Sequence, residues 1–151
     1  MANLGKWGNR SATTNLLTTQ LNALATTTMT VPSAAIANQT NLDIYADIWL
    51  HLATITGTAA GAGAFGALYV LPALDGTSYP DATGPNLRTQ TNNLLCTWAI
   101  GTATQAQDVI ARNVVLPPDS FKVAFDNQTG VALAAVANTV TMVTYDVDLN
   151  G

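Results

Sequence analysis

Three side chains that could bind a metal or transfer a proton recur at every fourth position in the segment DIYADIWLHL. They are Asp43, Asp47 and His51, and the last of these is the only histidine of the chain. Four residues make about one helical turn and also two strand repeats, so either element would place the three on one face. Whether they form a metal or acid–base site therefore depends on the secondary structure of the segment.

The hydrophobic pattern of this segment indicates a strand. Aliphatic residues occupy every even position from Leu42 to Leu52, and polar or aromatic residues occupy the odd positions. This alternation is typical of a half-buried strand, whereas a helix would scatter the aliphatic residues around its circumference. A strand rises about 3.3 Å per residue, which separates Asp43 from Asp47 by about 13 Å and from His51 by about 26 Å. Since ligands lie about 2 Å from a zinc ion, we do not expect these residues to share a metal.

The composition favours an all-β protein. The chain has 151 residues, of which 9% are charged, and all nine acidic residues are Asp. The lack of Glu and the scarcity of Lys remove good surface helix formers, and the abundant Thr and Val favour strands. We predict one β-sandwich domain, jelly-roll-like, with about seven or eight strands over residues 15–151, preceded by an extended N-terminal arm of residues 1–14.

Seven segments with apolar runs or alternation predict the strands, and turn-forming residues separate them. They are 26–31, 42–52, 65–71, 94–101, 107–116, 121–127 and 138–149. A further segment, 16–25, fits either a helix or extended chain, and the flanking Thr residues favour the extended form. The strand over 42–52 should be central. Its even residues should face the core, and its odd residues should face water, a second layer or a neighbouring subunit.

The segment GAGAFG (61–66) matches the glycine pattern of dinucleotide-binding loops, and Asp81 follows it. That pattern requires a strand that passes directly into a helix, and Pro72 would interrupt such a helix. We therefore expect a hairpin loop and no cofactor. The uncharged stretch 52–74 is long enough for a membrane span, but it is mostly Gly, Ala and Thr and has no flanking Lys or Arg, so we expect no membrane contact.

The remaining reactive residues match no known catalytic set. Cys96 is the only cysteine, which excludes an internal disulfide, and its apolar neighbours indicate a buried side chain. A catalytic triad would need His51, and no nucleophile-elbow motif accompanies it. Asp146 and Asp148 could bind calcium weakly, although a polar strand face explains them as well. We expect neither an enzyme nor a metal site.

The charge of the chain bears on its partners. The net charge is −4 with only five Lys and Arg residues, which leaves no basic surface for a phosphate backbone. Direct nucleic-acid binding is therefore not expected. A surface with so few charges is poorly protected against association, which favours a protein that works packed against others.

The arm over residues 1–14 has no hydrophobic periodicity and no apolar core of a signal peptide. We expect a neighbouring subunit to hold it. Lys6, Trp7 and Arg10 are its candidate anchors, since Trp, Tyr and Arg dominate interface energies. Trp7 could equally pack onto its own domain.

Two turn-rich segments resemble a known family. The segment LYVLPALDGTSYPD (68–81) and the segment VVLPPDSFKVAFDNQTG (114–130) are similar to parts of small virion proteins of tailed bacteriophages, the capsid decoration or cement proteins. The similarity extends from about residue 40 to the end of the chain. It implies a β-sandwich domain of a virion protein. We expect this domain on the capsid exterior, bound to the major capsid protein, as a homo-oligomer that is a trimer or a dimer.

The sequence is compatible with three functions. The first is capsid stabilisation through Lys6, Trp7, Arg10, Tyr45 and Trp49, with avidity from many copies. The second is a carbohydrate- or receptor-binding module of a phage tail or head fibre, in which Tyr45, Trp49 and Tyr69 would stack on sugars. The third, which the sequence supports least, is a hydrolase that uses His51.

Overall fold

The computed structural model describes residues 6–54, 60–73, 75–80, 93–102 and 104–148. Within these ranges the chain forms ten strands and one short 3-10 turn, Thr19–Leu21. The strands are β1 (Lys6–Trp7), β2 (Thr14–Leu17), β3 (Ile36–Ala37), β4 (Tyr45–Leu52), β5 (Phe65–Pro72), β6 (Leu94–Ala99), β7 (Gln107–Val115), β8 (Ser120–Gln128), β9 (Thr139–Tyr145) and β10 (Val147–Asp148).

Eight of these strands form two four-stranded antiparallel sheets that pack as a sandwich. The strand order is β2-β9-β4-β7 in the first sheet and β3-β8-β5-β6 in the second. This order is that of a jelly roll, in which two Greek keys distribute successive strands over both sheets. The prediction of an all-β, jelly-roll-like sandwich is confirmed, and β4 is a central strand between β9 and β7, as the alternation of its residues indicates.

The core lies between the two sheets. The even residues of β4 from Ala46 to Leu52 are buried, and they face a second sheet whose Val123 and Phe125 are also buried. The fit is close at Gly66 of β5, because a Cβ atom there would lie 2.6 Å from the Phe125 ring. A glycine at this point of a strand therefore allows the aromatic ring to approach the backbone.

Part of the outer face of the second sheet, away from the core between the sheets, is also buried. Strand alternation directs Leu71 and Ala124 to that face, yet both are fully buried, and Met29 packs against them. Lys122 of the same face lies with its ammonium 4.3 Å from the centre of the Tyr79 ring. The continuous apolar run of β5 agrees with this burial, since strands covered on both faces lose their alternation.

The strand over 42–52 begins later than predicted. It begins at Tyr45, and Leu42 and Ile44 are exposed rather than part of the core. Leu42 has a φ of 52°, a left-handed conformation that ends extended pairing. Asn38 fixes this bend, because its side-chain amide donates to the Asp43 carbonyl and its Oδ1 accepts from the Asp43 N–H. Hydrophobic alternation alone does not reveal such a local bend.

The predicted strand over 26–31 is wrong, since only an isolated bridge at Met29 forms there. The N–H groups of Thr27, Thr30 and Ser33 donate to carbonyls of β8 that are two residues apart. In an extended strand the N–H groups that face one neighbouring strand are two residues apart, so donors that are three residues apart do not belong to a regular strand. The backbone N–H groups of Phe125 and Val123 in β8 donate to the hydroxyls of Thr30 and Ser33. In a paired strand, backbone carbonyls would accept these hydrogen bonds.

The predicted hairpin around residues 61–66 is also wrong. β4 and β5 lie in different sheets, so the chain crosses the sandwich between them. Gly61 donates to the Thr129 carbonyl, and Gly63 has a φ of 77°, in a tight turn that leads into β5. This turn is followed by a strand rather than a helix, so a dinucleotide-binding loop would have no helix N-terminus for its phosphates.

The N-terminal segment follows the C-terminal segment of its own chain. β1 pairs with β10 in a two-stranded antiparallel sheet, and the Gly8 N–H donates to the Asp146 carbonyl at 2.7 Å. The Ser11 N–H donates to the Thr144 carbonyl, and the Ser11 hydroxyl accepts from the Thr144 N–H.

None of the described residues belongs to a helix with the length and apolar character that a membrane crossing requires.

Candidate functional site

The outer face of the first sheet carries the odd residues of β4. Tyr45, Asp47, Trp49 and His51 point away from the core and have cross-strand neighbours on β9 and β7. We use the term "open face" for these four residues and for neighbours that point the same way. The neighbours are Asp108, Ile110 and Arg112 of β7, and Thr139, Thr141, Val143 and Tyr145 of β9.

Asp47 is the centre of a polar cluster on the open face. Its Oδ2 accepts from Arg10 at 2.9 Å and lies 3.8 Å from the Arg112 guanidinium. Its Oδ1 accepts from the Tyr145 hydroxyl at 3.0 Å and from the Asn113 N–H at 3.2 Å. Partial burial opposes ionisation of this carboxyl, but these hydrogen bonds outweigh burial and lower its pKa. Asp47 is therefore a fixed anion that orients two arginines.

A β-bulge in β7 positions this cluster. The β4–β7 register shifts between Ala46 and Ile48, so that two residues of β7, Arg112 and Asn113, lie opposite Asp47. Asn113 has a φ of 54°, which asparagine tolerates better than most residues. The bulge directs the Asn113 N–H at Asp47 and leaves the Arg112 side chain exposed beside it.

Tyr145 connects the arm to the sheet. Its ring stacks on Tyr45 with 6.0 Å between centroids, and the Arg10 guanidinium lies 5.4 Å from its ring centre. Burial and the Asp47 carboxylate raise the pKa of the Tyr145 hydroxyl, whose oxygen also lies 2.7 Å from the side-chain oxygen of Asn113. A depression of about 430 Å³ is lined by Tyr145, Arg10, Asp47 and Asn113 together with Gly8 and Arg112.

A second part of the open face is apolar. Trp49 and Ile110 are direct cross-strand neighbours, and they are 48% and 42% exposed. The Trp49 indole donates to Asp108 at 3.2 Å, and the same carboxylate oxygen lies 2.7 Å from His51 Nδ1. The hydrogen bond to His51 and, to a smaller extent, that to Trp49 lower the pKa of Asp108. The Trp49 ring is therefore held in place although much of it is exposed.

The structure brings together three of the five predicted partner-binding residues. Arg10, Tyr45 and Trp49 all lie on or beside the open face. Lys6 and Trp7 pair through their backbones with Asp148 and Val147, and their side chains lie outside the described residues. Tyr69, which would stack on sugars under the carbohydrate-binding hypothesis, lies on the other sheet and is buried.

Sequence reasoning missed several residues that matter on this surface, which are Asp108, Ile110, Arg112 and Tyr145 of the open face and Asn113 of the Asp47 cluster. The alternation in QDVIARN contains a signal for three of them, since it directs Asp108, Ile110 and Arg112 to one side of β7. No local signal links them to Asp47 or Arg10, because strand pairing across the whole chain creates that proximity.

The three residues of DIYADIWLHL that recur at every fourth position have separate partners. Asp43 accepts from the Thr144 hydroxyl, Asp47 binds Arg10, and His51 binds Asp108. Among the residues that the structure describes, no three His, Cys, Asp or Glu side chains are grouped closely enough to hold a metal ion.

Desolvation raises the pKa of the Cys96 thiol to about 12, which keeps it protonated and a poor nucleophile.

Comparison with known proteins does not identify a family. No protein-family model matches this chain, and no curated protein matches its sequence. The chain has a low similarity to the crystal structure of the Yersinia pseudotuberculosis-derived mitogen (YPM), with 7% identity and a TM-score of 0.27. The alignment covers 93% of this chain and 87% of the mitogen. At this TM-score the likeness carries no functional argument, and the jelly-roll assignment rests on strand order.

Proposed function

We propose that the protein is a structural virion protein that binds and stabilises a bacteriophage capsid from outside, as decoration or cement proteins do. The resemblance of segments 68–81 and 114–130 to that group supports the proposal. So does the jelly-roll architecture, which is frequent among viral capsid domains. The observation that carries it is the open face, where an exposed Trp49–Ile110 pair lies on the same sheet as the Arg10–Asp47–Arg112 cluster.

The open face has the composition of a protein-binding surface. Interface cores are enriched in aromatic residues and Arg, and their energy concentrates in Trp, Tyr and Arg. Hydrogen bonds already fix Trp49 and Arg10 in the free protein. Less side-chain entropy is therefore lost when a partner such as the major capsid protein binds.

Binding to capsids tests the proposal. Labelled protein is mixed with capsids of the phage that encodes it, and the bound fraction is measured by co-sedimentation. We expect Trp49→Ala to weaken binding by about tenfold or more, because truncation of an interface Trp commonly costs 2 kcal/mol or more. Val136→Ala is the matched control, since Val136 is exposed but lies outside the open face.

The outcome of this experiment is decisive in either direction. Capsid binding that Trp49→Ala weakens and Val136→Ala leaves unchanged supports the proposal. Absence of capsid binding by the natural chain, or equal binding by both variants, contradicts it.

A carbohydrate-binding or receptor-binding module of a phage tail or head fibre is the second candidate. One observation favours it: the exposed Trp49 ring borders a groove of about 270 Å³ that Arg10, Asp47, Arg112 and Thr141 also line. An aromatic surface with a few fixed polar groups is a common arrangement for small ligands. A glycan array with the natural chain and Trp49→Ala tests it, and a glycan signal that is unchanged in Trp49→Ala argues against this site.

A further inference from the structure

Strand β7 forms one edge of the first sheet, and β2 forms the other. Strand β7 contains nine residues and pairs along one edge with β4, and within the described part of the chain no strand pairs with its other edge. An open edge of this length presents backbone N–H and C=O groups that can pair with another chain. The side chains of β7 determine which chain fits.

The exposed side chains of β7 are arranged symmetrically. Asp108, Ile110 and Arg112 follow one another on the open face, with opposite charges two residues to either side of Ile110. All three are exposed. A strand with this arrangement complements itself when a second copy runs antiparallel to it, because each Asp108 then lies opposite an Arg112.

We propose that β7 pairs with β7 of a second copy across a two-fold axis at Ile110. The pairing joins the four-stranded first sheets of two copies into one continuous sheet of eight strands. Asp108 of each copy lies opposite Arg112 of the other, and the two Ile110 side chains meet at the axis. The interface is isologous, as most homodimer interfaces are.

The charges select this register over its neighbours. An axis at Asp108 would place the two Asp108 carboxylates opposite each other, and an axis at Arg112 would do the same with the two guanidinium groups. Like charges directly opposite each other destabilise an antiparallel pair, whereas opposite charges stabilise it. Only the axis at Ile110 brings both charges of each copy opposite their complements.

The groups behind β7 extend the pairing. Asp108 already binds His51, and Arg112 already lies beside Asp47, so the interface would continue each polar network into the second copy. Trp49 lies next to Ile110 in each copy, which forms an apolar row of two Trp49 and two Ile110 side chains across the axis. The bulge at Asn113 bends β7 directly after Arg112 and ends the pairing there.

This inference does not depend on the proposed function, because the pairing concerns the edge of the sheet and holds whichever partner the open face binds. Edge pairing alone buries less than a standard interface of about 1,600 Å². The dimer should therefore be weak and dependent on concentration in solution.

A single cysteine at the axis tests the register directly. Opposite residues of an antiparallel pair have Cα atoms about 4.5–5.5 Å apart, which is within the range of about 4.4–6.8 Å for a disulfide. In Ile110→Cys, mild oxidation of the full chain should convert most of the protein into a covalent dimer on a non-reducing gel. The natural Cys96 should not react, since desolvation keeps its thiol protonated.

Val136→Cys is the matched control, because Val136 is an exposed aliphatic residue outside β7. It should form covalent dimer at least about tenfold more slowly than Ile110→Cys, since only random collisions bring two such residues together.

Two charge reversals test the complementarity. Asp108→Arg alone and Arg112→Asp alone each place like charges opposite each other, and each should weaken the homodimer by about tenfold or more. An equimolar mixture of the two variants should form a heterodimer, because every arginine of one variant then lies opposite an aspartate of the other. Native mass spectrometry distinguishes the three dimers, and circular dichroism verifies that each variant is folded.

The outcomes separate clearly. Rapid cross-linking of Ile110→Cys together with heterodimers in the mixture supports the proposal. A natural chain that stays monomeric up to about 1 mM, near the weak limit of specific association, overturns it. Cross-linking of Ile110→Cys no faster than that of Val136→Cys also overturns it, as does a trimer.

Discussion

The two sheets of the sandwich differ in what lies on their outer faces. On the second sheet, Leu71 and Ala124 point outward and are fully buried, with Met29 packed against them. On the first sheet, Trp49 and Ile110 point outward and are 48% and 42% exposed. The same fold therefore has one outer face that is covered around Leu71 and Ala124, here called the covered face, and one open face.

The difference between the two outer faces indicates which surface is available for binding. Side chains on the covered face contribute to the stability of the domain itself, because they are removed from water in the free protein. Trp49 and Ile110 remain partly hydrated, so a partner would gain the free energy of burying them. The contrast predicts that changes on the two faces have different consequences, large for stability on one and large for binding on the other.

The largest effect is expected on the covered face. Leu71→Ala should lower the free energy of unfolding by about 2–5 kcal/mol, because it removes a fully buried aliphatic side chain and leaves a cavity. Urea denaturation followed by circular dichroism measures it. A loss below about 1 kcal/mol would show that this face is not packed and would remove the contrast between the sheets.

An intermediate effect is expected at Asp47, the most buried carboxylate of the open face. Asp47→Ala should cost about 1–3 kcal/mol, because it leaves the Tyr145 hydroxyl and the Arg10 guanidinium without this acceptor. Thermal unfolding at pH 7 measures it. The variant Thr141→Ala, on the same face but outside this cluster, serves as a control and should have a melting temperature close to that of the natural protein.

The contribution of Asp47 should depend on pH. Its pKa is lowered in the folded protein, so its stabilisation is present above the unfolded-state value of about 4 and is lost as the pH falls through the lower folded-state value. The difference in melting temperature between the natural protein and Asp47→Asn should be constant between about pH 5 and 7 and shrink below about pH 4. A difference that grows in acid would contradict this assignment.

The smallest effect on stability is expected at Trp49. Trp49→Ala should change the free energy of unfolding by less than about 1 kcal/mol, because Trp49 is 48% exposed in the free protein and lies outside the core. The same variant should lower binding to capsids or to a glycan strongly if the open face is the functional surface. A large loss of stability would show that Trp49 is packed like the residues of the covered face, which contradicts the distinction between the two outer faces.

The sequence was sufficient for much of this architecture. The composition and the alternation over 42–52 predicted an all-β sandwich with that strand at its centre, and β5 to β9 lie close to their predicted bounds. The prediction of a strand over 26–31 was wrong, because the backbone N–H groups that bond to β8 there are three residues apart rather than two, and side-chain hydroxyls take the place of backbone acceptors. The predicted hairpin at 61–66 failed because turn residues do not show whether a chain stays in one sheet or crosses to the other.

The candidate site was predictable only in part. Tyr45 and Trp49 followed from strand alternation, and Arg10 followed from the preference of interfaces for arginine. Local patterns also separated Asp43, Asp47 and His51 from one another, since the rise of a strand is a property of the backbone alone.

Tertiary structure alone decided what each of these residues contacts. Arg10 reaches Asp47 from 37 positions away, and Asp108 reaches His51 from 57 positions away, because Greek-key connections bring distant strands together. Which outer face is covered was equally a matter of packing. Alternation shows that a side chain leaves the core, but only the assembled fold determines whether another part of the chain lies above it.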